Sequence, residues 1–342
     1  VRGKSYIKTF IDPDLRKEWR KFLKKFPYLF WVQAMNVKDE KEWRELVKGK
    51  EPDLNSKPYR PKNAAEFASI TRARRDAYYH IARCFAEPSR AFVEELLNGG
   101  FADALEACLK PFVSESKTKD WLNLLRRYLI TIRNQKIKKV LEGLRGEHLT
   151  IFYDSFFPWL SCYESVYRGE KQIMGDLTAM VKDSYRDAGF YLTGKYGNDP
   201  PDDAKIELEF MYRLCEEELE AWRRGDRNAA LAYLEMQRKH LQEHLIEWIP
   251  YLCDDLLKPE FRDGVAKKFH RIPEAGRDEI REFDFYRAIA AITKATLECD
   301  HNQVEAMLDA GRELEVSEVS RELHDSKPLD VSTERFALEK SR

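Results

Sequence analysis

Apolar residues in this chain recur at steps of three and four over long stretches and almost never alternate, which restricts the backbone to helices that each bury one face. Phe67, Ile70, Arg74, Ala77, Ile81 and Phe85 form one such series. Leu208, Met211, Cys215, Leu219 and Trp222 form a second, and Tyr233, Gln237, Leu241, Leu245, Trp248, Leu252 and Leu256 a third. Alternation at the period of a strand never persists for more than a few residues. The pattern predicts an all-α fold.

The same periodicity predicts helices over 14–31, 38–48, 63–86, 90–110, 118–142, 145–153, 175–191 and 284–310, besides the two long ones just named. Lys50 to Lys62 is rich in proline and polar residues and reads as a linker. The chain therefore divides into a basic helical extension (1–62), a central helical domain (63–260) and a C-terminal helical appendage with a mobile tail (261–342). The stretch 156–171 mixes aromatics with a proline off the helical period, which predicts an ordered loop. Pro250 predicts a kink just before it in the helix that holds it.

Composition narrows the function classes. Hydrophobic residues are 43% and charged residues 35% of the 342, the mixture of a water-soluble helical protein. Apolar runs such as Phe156 to Leu160 stop far short of the ~20 residues a bilayer demands, so no membrane span is expected. The N-terminal residues carry no apolar signal core, which predicts a cytoplasmic location. A net charge of −1 gives no reason to expect a nucleic-acid partner. Residues 1–50 nevertheless hold 14 Lys/Arg against 7 Asp/Glu. This +7 arm is either a solvated surface or a patch for an acidic partner or membrane headgroups. Cysteines at 84, 108, 162, 215, 253 and 299 are dispersed without a CxxC pair, which predicts reduced core thiols rather than disulfides or a zinc site.

Several chemistries were weighed on their residues. Asp202 and Asp203 with Glu207 and Glu209 look, in isolation, like an acid-rich Mg2+ site. Glu207 and Glu209 are two apart and face different ways on a helix, and no second acidic cluster stands opposite. His240 and His244 are spaced i, i+4 as a zinc pair would be, but no third ligand stands out. A helical metal-dependent hydrolase or synthase built on Asp202, Asp203 and one of these histidines, and a passive scaffold using the basic arm, remain as alternatives. No GxSxG turn, no cysteine set near a histidine and no glycine-rich phosphate loop is present. The run PPDDAKIELEFM at 200–211 also has a structural meaning, since Pro and Asp at a helix start satisfy free N–H groups and match the helix dipole.

Five segments carry a resemblance: HLTIF (148–152), YESVYRG (163–169), MGDLTAMVKDSYRDAGF (174–190), PPDDAKIELEFMYRLCEEE (200–218) and QRKHLQEHLIEWIP (237–250). In order and spacing they resemble the TorD/DmsD/NarJ chaperones of redox enzymes, and RARRDAYYHIARCFAEPS (72–89) is similar to that family's opening helix. The resemblance covers about 63–260 and is closest to the branch serving molybdenum enzymes of the dimethyl sulfoxide reductase superfamily. The chain departs from the family pattern at two places. His148 stands where an aromatic often opens the YxxLF word, and Pro201, Asp202, Asp203 and Ala204 stand where an acidic residue is often followed by Asp and His.

The resemblance implies a TorD/DmsD-like helical bundle that is not an enzyme and needs no metal or cofactor of its own. Its implied partner is the cofactor-free catalytic subunit of a dimethyl sulfoxide reductase-type molybdoenzyme, with that subunit's N-terminal leader, often a twin-arginine signal. Such a leader calls for carboxylates beside an apolar groove. Asp202, Asp203 and Glu164 are the acidic candidates, and Phe152, Tyr163, Tyr167, Phe210 and Trp248 the apolar ones, with His148 and Glu207 beside them. The aspartates are expected at the rim of a pocket. The chain is expected to be a monomer or a dimer that exchanges helices at the turn 194–201.

Overall fold

The computed structural model describes residues 58–153, 160–170, 174–193, 199–258, 283–314 and 337–340. The helices expected over 14–31 and 38–48 lie outside this set, as does most of the exchange turn.

Helix α1 (Ala64–Phe85) starts where the Asn63 side chain accepts from the Glu66 N–H at 2.9 Å while the Glu66 carboxylate accepts from the Lys62 N–H at 2.8 Å. This reciprocal cap satisfies donors that a helix start leaves open, and it falls at the predicted end of the linker. Helices α2 (Arg90–Asn98) and α3 (Phe101–Leu109) replace the single helix expected over 90–110. Gly99 and Gly100 part them with φ of +76° and +95°, backbone that residues with a Cβ seldom adopt. Helices α4 (Glu115–Ile132) and α5 (Ile137–His148) likewise divide the expected 118–142 segment, and a wide π-helical turn (Leu149–Tyr153) follows.

The stretch read as a loop contains a short helix, α6 (Glu164–Tyr167). Beyond it come α7 (Asp176–Asp187), strand β1 (Phe190–Leu192) and the two long helices α8 (Ala204–Arg223) and α9 (Arg227–His240). A second π-helical turn (Leu241–Leu245) leads into α10 (Ile246–Leu257), which continues through Pro250. The irregularity expected just before the proline thus lies further upstream. Helix α11 (Asp284–Glu313) and strand β2 (Leu338–Lys340) complete the order. The described residues form an all-α bundle with one two-stranded sheet.

The centre of the bundle is the α1–α8 pair, where Phe67 stacks on Trp222 with ring centroids 4.5 Å apart. Helix α9 packs on α8, and α11 packs against α4, α9 and α10. Buried Arg74 ties four helices together: its guanidinium donates to Asp300 of α11, to Gln237 of α9 at 2.6 Å and to Glu218 of α8 at 3.3 Å. A boundary at 260 therefore does not separate two packing units, because α11 supplies buried residues from Phe285 to Leu308 to the common core.

The tail corrects a second expectation. Residues 337–340 are not loose: β2 pairs antiparallel with β1 in the register Phe190↔Lys340, and Leu338 is fully buried. Buried Glu209 accepts from the Ala337 and Leu338 N–H groups at 2.9 and 2.8 Å, so an acidic side chain receives the donors of an incoming strand. All six cysteines are buried free thiols, as their spacing predicted.

Candidate functional site

Asp202, Asp203, Glu164, Glu207, Tyr163, Tyr167 and Phe210 converge where α6, α7, the start of α8 and the end of α9 meet. Two loop segments are stitched side by side by an antiparallel bridge between Tyr163 and Asp203, the Glu164 N–H donating to the Asp202 carbonyl at 3.0 Å and the Ala204 N–H to the Cys162 carbonyl at 2.8 Å. The bridge fixes the starts of α6 and α8 relative to one another.

Within this frame the two aspartates have different tasks. Asp202 caps α6 from outside, accepting from the Ser165 N–H at 3.0 Å and from the Thr178 hydroxyl at 3.1 Å. Asp203 is the N-cap of α8, accepting from the Lys205 N–H at 3.0 Å, and it pairs with the Lys205 ammonium at 3.3 Å. Both are buried, at 0% and 1% exposure, rather than at the rim of a pocket. A short polar side chain at a helix start is drawn onto the free backbone donors, which is why these carboxylates turn inward. The metal-dependent alternative built on them loses its ligands for the same reason.

Beneath the bridge lies a buried polar cluster. Glu164 is held from both sides: one oxygen accepts from Arg168 at 2.5 Å and the other faces Nδ1 of His244 at 3.0 Å. Arg168 also donates to the Glu243 carbonyl, and the far ring nitrogen of His244 faces the Ser184 hydroxyl at 3.4 Å. Glu207 projects toward the same point with 0% exposure, and neither of its oxygens has a hydrogen-bond partner among the described residues. The Nε2 of His240 lies 3.7 Å from the Glu207 carboxylate. Burial, reinforced by the charges of Glu164 and Asp202, raises the Glu207 pKa well above the carboxylate range; the indole of Trp248, out of hydrogen-bonding geometry, acts the other way. Burial also lowers the His240 pKa well below that of a free imidazole, with His244 adding to the effect. Glu164, Glu207 and His244 each bring a ligand atom within 4.8 Å of the others.

Most of the predicted aromatic residues are sealed in. Phe210 packs on Tyr185 and His240 with centroids 4.6 and 4.8 Å apart, forming a wall of the polar cluster. Tyr167 packs on Trp248, and its hydroxyl donates to Asp255. His148 and Phe152 belong to a neighbouring nest with Phe85 and Tyr286, where the His148 ring meets the Phe85 carbonyl at 3.0 Å. Tyr163 alone of the ten predicted residues is half-buried, the other nine being buried. Among the described residues these buried rings therefore face the core and do not line an open pocket. Sequence reasoning missed the meeting of His240 and His244 with Glu207 and Glu164. Their i, i+4 spacing was visible, but the carboxylates that complete the group lie about 80 and 40 positions away, and only packing of α6 and α8 on α9 unites them.

No helix among the described residues is long and apolar enough to cross a membrane. No curated protein and no solved structure matches the chain. Residues 114–254, which run from α4 to α10 and enclose the whole polar cluster, match the family model described as nitrate reductase delta subunit. Over that stretch the chain is similar to a family of maturation chaperones for molybdenum-containing redox enzymes, which are not themselves enzymes, in agreement with a TorD/NarJ-type assignment.

Proposed function

We propose that this protein holds the cofactor-free catalytic subunit of a dimethyl sulfoxide reductase-type molybdenum enzyme, together with that subunit's N-terminal leader, until cofactor insertion is complete. The family match over 114–254 carries this reading. No bond is made or broken; the protein acts by binding the immature client better than the finished one.

In this reading Asp202, Asp203, Glu164 and Glu207, all buried, form the floor beneath the client surface rather than touching the client. Above that floor, α7 presents Asp176, Met180, Asp183 and Asp187, which fall on one helical stripe and are all exposed. Met174, which precedes the helix, is 60% exposed, and Tyr191, which follows it, 47%. Carboxylates interleaved with flexible thioethers suit a leader that is basic and apolar by turns, because guanidinium groups pair with carboxylates and methionines adapt to apolar side chains. Half-buried Tyr163 borders the same region through α6, which packs on α7.

The test is calorimetric titration of the full chain with the cofactor-free catalytic subunit of a dimethyl sulfoxide reductase-type molybdenum enzyme from the same source, and with a synthetic peptide of that subunit's leader. Both are expected to bind, and Met180→Asp together with Asp183→Lys is expected to weaken the leader at least ~10-fold, about 1.4 kcal/mol. Unchanged affinity in the variant would remove the α7 surface from the reading. Failure of the unaltered chain to bind either probe would remove the chaperone reading itself.

A further inference from the structure

The buried cluster is built from groups that do not satisfy one another. Among the described residues Glu207 has no hydrogen-bond partner for either oxygen and His240 has none for either ring nitrogen, although the two residues are 0% and 1% exposed. A carboxylate and an imidazole so deeply buried without protein partners are costly unless a third party joins them. Glu164 and His244 complete the set from α6 and the π-helical turn, with their outer atoms already committed to Arg168 and to Ser184. Side chains whose outer atoms are fixed in this way are pre-oriented on the inner side, as ligands of metal ions characteristically are.

We propose that Glu164, Glu207 and His244, with His240 beside them, form a closed binding site for one divalent transition ion, with Zn2+ the best-fitting species. The donor set is two carboxylates and one imidazole with a second imidazole adjacent, which suits Zn2+ better than the oxygen-preferring Ca2+ and Mg2+. Two anionic ligands neutralise the ion. In a tetrahedral zinc sphere neighbouring N and O ligand atoms stand about 3.3–3.5 Å apart. The separations here bracket that value, 3.0 Å between His244 and Glu164 and 3.7 Å between His240 and Glu207, and the Glu164, Glu207 and His244 atoms lie within 4.8 Å of each other. His240, 3.7 Å from Glu207, stands next to this trio and supplies a fourth donor only if its ring moves inward.

The site has no open face, so the ion would join elements rather than activate a substrate. It would bind α6, α8 and the π-helical turn to one another, and these elements form the floor assigned above to client binding. The inference itself stands on the cluster alone and holds whether or not that assignment does. Because the folded chain assembles the ligands and the unfolded chain does not, ion binding adds directly to fold stability.

The experiment uses the full chain, stripped with a chelator, dialysed and titrated with Zn2+, and in parallel with Co2+ as a spectroscopic probe. Expected are one ion per chain, a melting temperature that rises by several degrees with Zn2+, and Co2+ visible bands of a nitrogen and oxygen site. Glu207→Gln and His244→Ala are expected to weaken Zn2+ binding at least ~10-fold. An unaltered chain that takes up no ion and shows no melting shift overturns the proposal. So does undiminished binding in both variants, which would mark an adventitious ion held elsewhere. If neither variant folds, X-ray absorption of the unaltered zinc form decides: an imidazole and carboxylate shell upholds the site, and thiolate sulfur overturns it.

Discussion

Arg74 shows how a single residue can be indispensable without touching any partner protein. Its buried guanidinium faces Asp300 and Glu218, and the two carboxylates take further hydrogen bonds from Tyr78, Thr71, Gln237 and Trp222. Arg74→Met fills the same volume but leaves both carboxylates without their cation. Urea denaturation is expected to show a loss of about 3–5 kcal/mol, the range found when one partner of a buried ion pair is removed. Histidines give a residue-scale prediction of a different kind. Burial lowers His148 to about 4, and the Phe85 carbonyl opposes the shift without cancelling it. The unfolded chain takes up this proton near pH 6.5 while the folded chain refuses it until about 4, so the stability due to neutral His148 is present above 6.5 and is lost as pH falls toward 4. Glu209, pushed up to about 7 by burial, contributes a slope of opposite sign, so the informative quantity is the difference between variant and unaltered chain. His148→Gln keeps a donor for Phe85 and cannot be charged. Its stability loss between pH 6.5 and 4 is expected to be smaller than that of the unaltered chain by on the order of 3 kcal/mol, measured by denaturant titration at each pH.

At the scale of elements, the helices owe their limits to local chemistry and their necessity to packing. Asn63, Ser89, Asp203 and Asp226 cap α1, α2, α8 and α9 with side-chain oxygens, each a residue type favoured at that position. Helix α11 illustrates the other half. It begins at Phe283, whose φ of +69° is unusual for a residue with a Cβ and whose N–H donates to Glu147. Almost every turn of α11 is buried, and it delivers Asp300 to Arg74. A chain ended after residue 258 would keep the whole stretch that matches the family model, yet it would expose the α11-facing sides of α4, α9 and α10 and leave Arg74 without its main partner. Such a chain is expected to lose its cooperative thermal transition, followed by circular dichroism; a sharp transition near that of the full chain would show that α11 is dispensable.

For the whole molecule, family likeness and structural integrity cover different residues. The match spans 114–254, whereas the core also requires α1 to α3 and α11. The client experiment and the metal experiment bear on the same part of the bundle from opposite sides. The leader is expected to meet the outer face of α7, and the ion is expected to lie beneath it. Substitutions on the α7 face should leave Zn2+ binding intact, which separates the failure of one reading from the failure of the other.

Much of this was legible in the residues themselves. Steps of three and four in the apolar residues determined the helices, because one buried face at that period admits no other regular backbone. Order and spacing of five short words pointed to the chaperone family, and Pro and Asp at 200–203 marked a helix start that the structure shows capped by Asp203. Orientation was not legible. Whether a carboxylate at a helix start faces solvent or the backbone depends on what stands beside it, and for Asp202 that is Ser165 and Thr178 from two other elements. The grouping of Glu164, Glu207 and His244, the recruitment of α11 and the strand at Leu338 to Lys340 were decided by tertiary packing, since each joins residues that a linear pattern holds far apart.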